Sequence, residues 1–209
     1  MNAPTQKLPP PAAKNGPAPA PTVPTGTREF AITSGMIDCP ERVVVFGPGG
    51  IGKSTLAALA PLPVFLDLER GTYKFDVPRV EGLETWADLR ACLQSNALDG
   101  YKSIVIDTAT KAAEMAETHT LATVMHENTR QRVQSIEGYG FGKGYQHVYD
   151  TFLLLLADCD SQIRRGRNVI LIAHDCIADV PNPVGDDFIR YEPHLQAPKS
   201  GKASIRNRV

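Results

Sequence analysis

The run Gly47-Pro48-Gly49-Gly50-Ile51-Gly52-Lys53-Ser54-Thr55 fits G-x-x-x-x-G-K-[ST], the spacing of a phosphate-binding loop. Glycines let successive backbone N–H groups turn inward and approach phosphate oxygens closely. A helix starting at the lysine would point its positive end at the same anion. In that arrangement Lys53 reaches the β- and γ-phosphates and the Ser54 hydroxyl holds Mg²⁺. Further candidates lie downstream. Asp107 closes an aliphatic run about fifty residues later, where a magnesium-orienting acid belongs, although a strand-end aspartate also caps helices. Hydrolysis needs a group that orients or deprotonates water. The residue after Asp107 is Thr108, so no base stands there, but Asp67-Leu68-Glu69 offers two acids on a neighbouring strand. Either can face the γ-phosphate, with Glu69 further out; pairing with Arg70 in a solvated turn is the alternative. His174 ends a fourth aliphatic run, as a γ-phosphate sensor or as a strand-end histidine satisfied by its neighbours.

The elements that must position these residues are readable from hydrophobic period and punctuation. Residues 42–47, 64–69, 103–107 and 168–174 read as buried strands. Helices are expected over 53–60 (stopped by Pro61 and Pro63), 84–96, 110–127 and 145–165. Phe30 and Ile32 suggest an edge strand or hairpin before them. Strands alternating with helices predict an α/β fold, three-layered, with a mainly parallel sheet and ligands at the carboxyl ends of its strands. After His174 the pattern dissolves into Pro, Gly and Asp. His119 reads as the polar edge of a helix face.

The chain has 209 residues and a net charge of −1, so bulk electrostatics argue neither for nor against a nucleic-acid partner; such a site needs a local basic patch. Residues 1–27 carry eight of the seventeen prolines and read as a disordered Pro/Ala-rich arm, with 28–209 as the folded domain. Cys39, Cys92, Cys159 and Cys176 form no C-x-x-C pair and read as reduced thiols; zinc on Cys176 and His174 lacks the usual ligand spacing. The most apolar run, 152–157, is too short to span a bilayer.

Together these motifs resemble the RecA-like P-loop ATPase core, and more closely the phage-type AAA-ATPase-like group that includes single-strand annealing and recombination proteins. The resemblance rests on 47–55, 65–69, 104–108 and 170–174 and spans about 28–205. It implies ATP and Mg²⁺ as cofactors, Lys53, Glu69, Asp107 and His174 as catalytic residues, and Ser54 with Asp107 at the metal. It implies homo-oligomers, a cytoplasmic setting in a bacterial host, and single-stranded DNA as partner. The first DNA loop of that group corresponds to 137–146, where Tyr139, Phe141, Lys143 and Tyr145 interleave with glycines, suited to base stacking or to packing the loop on its own domain. The second corresponds to 176–196, whose Asp179, Asp186 and Asp187 would repel phosphates, followed by basic Lys199, Lys202, Arg206 and Arg208. Chains of this type continue into further strands beyond this region, so the ending at Val209 suggests a truncated product. Two other functions fit the phosphate loop: a small-molecule or nucleotide kinase, and a non-hydrolysing nucleotide-binding module. Arg164, Arg165 and Arg167 on a helix end do not resemble a kinase lid, and Pro48 stands where partition ATPases carry an extra lysine.

Overall fold

The computed structural model describes residues 32, 34–180, 182–186, 188–199 and 201–209. The chain divides between Ile37 and Asp38, and the fold below is that of Asp38–Val209. The proline-rich arm and most of the strand expected around Phe30 lie outside the described residues; 34–41 contain no strand.

Five parallel strands form the central sheet: β1 (Arg42–Phe46), β2 (Pro63–Asp67), β3 (Arg79–Val80), β4 (Ser103–Asp107) and β5 (Asn168–Ala173). Their order is β1-β5-β4-β2-β3, which makes β4 central and buries all five of its residues. Period-2 alternation divides the side chains between two faces. Val64, Leu66, Ile104, Ile106, Val169 and Leu171 face one core. Phe65, Val105 and Ile172 face the other.

The first face is covered by α2 (Trp86–Gln94), α3 (Ala109–Thr123) and α4 (Lys143–Arg164), through residues such as Leu89, Ala112 and Phe152. The second is covered by α1 (Lys53–Ala58) through Ala57. This is the α/β, three-layer, mainly parallel arrangement that the strand–helix alternation predicts. The start of α2 is fixed by a capping box. Thr85 accepts from the Asp88 amide, and Asp88 accepts from the Thr85 amide at 2.8 Å. A buried carboxylate ties α2 to α4: Asp158 accepts from Arg90 Nε at 2.7 Å and from the more exposed Gln94 at 2.9 Å.

After His174 the structure departs from the expectation. Residues Asp175–Val180 (β6) and Phe188–Pro193 (β7) form an antiparallel hairpin, with Ile177 opposite Tyr191. Of the Pro, Gly and Asp residues read as the end of regular structure, Pro183, Gly185 and Asp186 lie between these strands, while Asp175, Asp179 and Pro193 lie within them. α3 also stops at Thr123, short of the expected 127, and α4 begins two residues earlier than expected.

Candidate functional site

β1 delivers the chain to the glycine loop. Gly50 and Gly52 take φ of +79° and +100°, a left-handed conformation that side chains disfavour, and a Cβ at Gly49, Gly50 or Gly52 would meet no atom within 4 Å. The loop is therefore bare backbone on its open side, as close approach of phosphate oxygens requires. Lys53 is buried, and its ammonium donates to the carbonyls of Gly47 at 2.7 Å and Pro48 at 2.9 Å, so its charge is held at the loop. Ser54 Oγ donates to Asp107 Oδ2 at 2.6 Å. Two residues fifty-three positions apart thus meet because β1 and β4 end at the same sheet edge, with β5 between them.

Asp107 is 8% exposed. Burial pushes its carboxyl above the ordinary carboxylate range, and the Asp67 and Glu69 charges add to this; the Ser54 hydrogen bond and the Lys53 charge oppose it. A largely buried carboxylate accepting from a serine hydroxyl, with the Lys53 charge beside it, supplies oxygen donors of the kind that a magnesium ion takes. Ser54 and Asp107 are the residues that would hold it.

The two acids at the end of β2 and just beyond it have different surroundings. The strand ends at Asp67 rather than continuing to Glu69, so the two do not act as one extended face. Asp67 accepts from the amides of Gly71 at 3.0 Å and Thr72 at 2.8 Å and from the Thr72 hydroxyl, which fixes the turn after β2. Leu68 donates to the Asp107 carbonyl at 2.8 Å, extending the β2–β4 ladder by one residue. Glu69 is thereby carried over the end of β4, where it accepts from the Thr108 hydroxyl and lies 3.1 Å from His174 Nε2. Arg70 pairs with Glu84 at 2.6 Å and not with Glu69.

His174 is held through its backbone. Its N–H donates to Thr110 Oγ1 at 3.0 Å, and its carbonyl accepts from the His194 amide at 2.8 Å. Thr110, Lys111, Glu114, His194, Glu69 and His174 line an open hollow of about 490 Å³. The structure therefore brings Ser54, at the start of α1, to Asp107, and Glu69 to His174, along the edge where the sheet's strands have their carboxyl ends.

The aromatic loop is arranged differently. Tyr139 is buried, 4% exposed, with its hydroxyl donating to the Val124 carbonyl at 2.7 Å and its ring edge-on to His147. Phe141 is fully exposed at φ +50°, between Gly140 and Gly142. Lys143 pairs with Glu127, and the Tyr145 hydroxyl donates to Glu137 at 3.0 Å. Among the described residues, none of these four hydrogen-bonds to Lys53, Ser54, Glu69, Asp107 or His174.

Sequence reasoning missed Thr108, Thr110 and His194. Thr108 had a readable signal as a hydroxyl residue between a strand and a helix, the N-cap position. His194 had none, because its place depends on the unrecognised hairpin.

Residues 40–203 match the family model described as AAA domain, and the chain belongs to that family. With its phosphate loop, it is a nucleotide-binding P-loop ATPase domain. A search of curated proteins finds no match. Among solved structures it is similar to a KaiC-like protein from the hyperthermophilic archaeon Pyrococcus horikoshii OT3. The two are 13% identical, the match covers 74% of this chain and 79% of that one, and the TM-score is 0.38. Among the described residues no helix is long and apolar enough to cross a membrane.

Proposed function

We propose that this chain is a Mg²⁺-dependent ATPase of the RecA-like, phage-type group, coupled to single-stranded DNA in recombination or annealing. The observation that carries the hydrolytic part is the meeting of Ser54 with Asp107 beside a carboxylate, Glu69, that points away from its own turn. Lys53 and the loop amides bind the β- and γ-phosphates. Ser54 and Asp107 would hold the metal, which would neutralise phosphate charge. Glu69 orients a water and takes its proton as the water oxygen attacks the γ-phosphorus. The bond from that phosphorus to the bridging oxygen breaks, and ADP leaves with the electron pair. His174, in contact with Glu69, responds to the presence of the γ-phosphate.

The DNA-binding part is supported by Phe141, an exposed aromatic between two glycines, with Lys143 and Tyr145 following; Tyr139 holds the loop from inside. Assembly into homo-oligomers and a cytoplasmic, phage-derived setting rest on the sequence resemblance alone. The test is ATP turnover by the full chain with and without single-stranded DNA. Turnover that Lys53→Ala abolishes and DNA stimulates is expected. Turnover unchanged in Lys53→Ala rejects the enzyme. Binding of ATP without any turnover favours a non-hydrolysing module, and phosphate transfer to nucleosides a kinase.

A further inference from the structure

Thr108 stands where the residue after the strand-end acid would supply the base in many ATPases, and by type it cannot do so. Its side chain nevertheless has a defined task. Thr108 is 2% exposed and is the N-cap of α3, where its Oγ1 accepts from the Lys111 amide at 3.1 Å. A hydroxyl carries one proton. With Oγ1 accepting from the helix amide, that proton is directed away from the helix, onto Glu69 Oε1. The cap therefore fixes the direction in which the hydroxyl donates. From the opposite side His174 Nε2 lies 3.2 Å from Oε1 and 3.1 Å from Oε2 of the same carboxylate. Glu69 lies two residues beyond β2, with a side chain about one-third exposed, so neither strand pairing nor burial would orient it alone. Thr108 is the contact whose donating direction is itself fixed, at the junction of the central strand and α3.

We propose that Thr108 is a positioning residue: its hydroxyl, set by capping α3, orients the Glu69 carboxylate toward the nucleotide. This rests on the reading of Glu69 as the base. The position after Asp107 thus contributes to hydrolysis by aiming a base supplied from the neighbouring strand.

The test measures steady-state ATP turnover and thermal unfolding on the full chain. Thr108→Val removes both donor and cap. Thr108→Gly has no hydroxyl to give but is tolerated at an N-cap at a cost of a few tenths of a kcal/mol, and Thr108→Ser keeps both donor and cap. Expected are a fall in kcat of about 10–100-fold in the Val and Gly variants, KM for ATP within about twofold, and near wild-type kcat in the Ser variant. Should the Val variant fail to fold, the Gly variant carries the same comparison with the helix start still tolerated. In a Glu69→Gln background Thr108→Gly is expected to lower residual turnover no further, since the group that Thr108 aims is gone. Wild-type kcat in Thr108→Gly, or an equal fall in both Glu69 backgrounds, overturns the proposal. If Glu69→Gln itself turns over ATP like the wild type, the reading of Glu69 as the base fails instead.

Discussion

Replacing Gly144 by alanine tests how the aromatic loop is fastened to the domain. In an open helix the change gains about 1 kcal/mol. Here Gly144 is buried in the first turn of α4, and a Cβ built on it would lie 2.1 Å from the Ile136 carbonyl oxygen and 2.8 Å from Ile136 Cγ2. Ordinary contact needs more than about 3.4 Å, so a backbone carbonyl must retreat by an ångström or more. That carbonyl begins the short 3-10 turn Ile136–Tyr139, whose first residue is packed in the core and whose last donates a hydrogen bond to Val124. Overpacking of this kind costs about 1–3 kcal/mol, occasionally more. Because the clash is with a backbone carbonyl, the upper part of that range, about 2–3 kcal/mol, applies; with the helix gain of about 1 kcal/mol subtracted, the net loss is about 1–2 kcal/mol, or roughly 2–8 °C in Tm. Urea unfolding monitored through the lone Trp86 measures it. Gly100→Ala is the control, since a Cβ there meets nothing within 4 Å and its φ is not positive; it should stay within about 0.5 kcal/mol of wild type. Gly144→Ala as stable as wild type, or more so, would refute the packing described here.

Asp107→Asn should abolish turnover yet raise Tm at pH 7 in Mg²⁺-free buffer. Burial raises the Asp107 carboxyl in the folded state, so its contribution favours folding at low pH and is lost as pH rises through the folded value; the advantage of Asn should therefore shrink as the buffer is acidified, and a lower Tm at pH 7 contradicts this. Arg90→Met strips the guanidinium from the nearly buried Asp158, leaving it Gln94 as its side-chain donor among the described residues, and should cost about 3 kcal/mol by urea unfolding. Adding Asp158→Asn should recover part of that loss. Phe141→Ala should leave stability within about 0.5 kcal/mol but weaken binding of a labelled oligothymidylate about 5–100-fold in an anisotropy titration; unchanged binding removes Phe141 from the proposed DNA surface.

Much of this architecture was legible because it rests on local signals. The strands at 42–46 and 103–107 are β-branched runs, and the loop at 47–55 has a spacing that little else uses. The hairpin Asp175–Val180 with Phe188–Pro193 was not legible, because its strands mix apolar and polar residues without a regular period, none of their residues is fully buried, and Pro183 and Gly185 follow the first strand closely. Tyr139 and Phe141 illustrate a second limit. Both are aromatics in a glycine-rich stretch, and only the path of the backbone turns one inward and the other out. The separation of Asp67 from Glu69 is a third case: which acid is tied up by the turn depends on amides at Gly71 and Thr72 that composition does not reveal.

The most direct test of the hydrolytic account is a single-turnover experiment on the full chain with γ-labelled ATP and Mg²⁺, comparing wild type with Glu69→Gln. The account predicts that both bind nucleotide with similar affinity, that the wild type releases labelled phosphate, and that Glu69→Gln does so at least about 100-fold more slowly. Phosphate release by Glu69→Gln at the wild-type rate would contradict it.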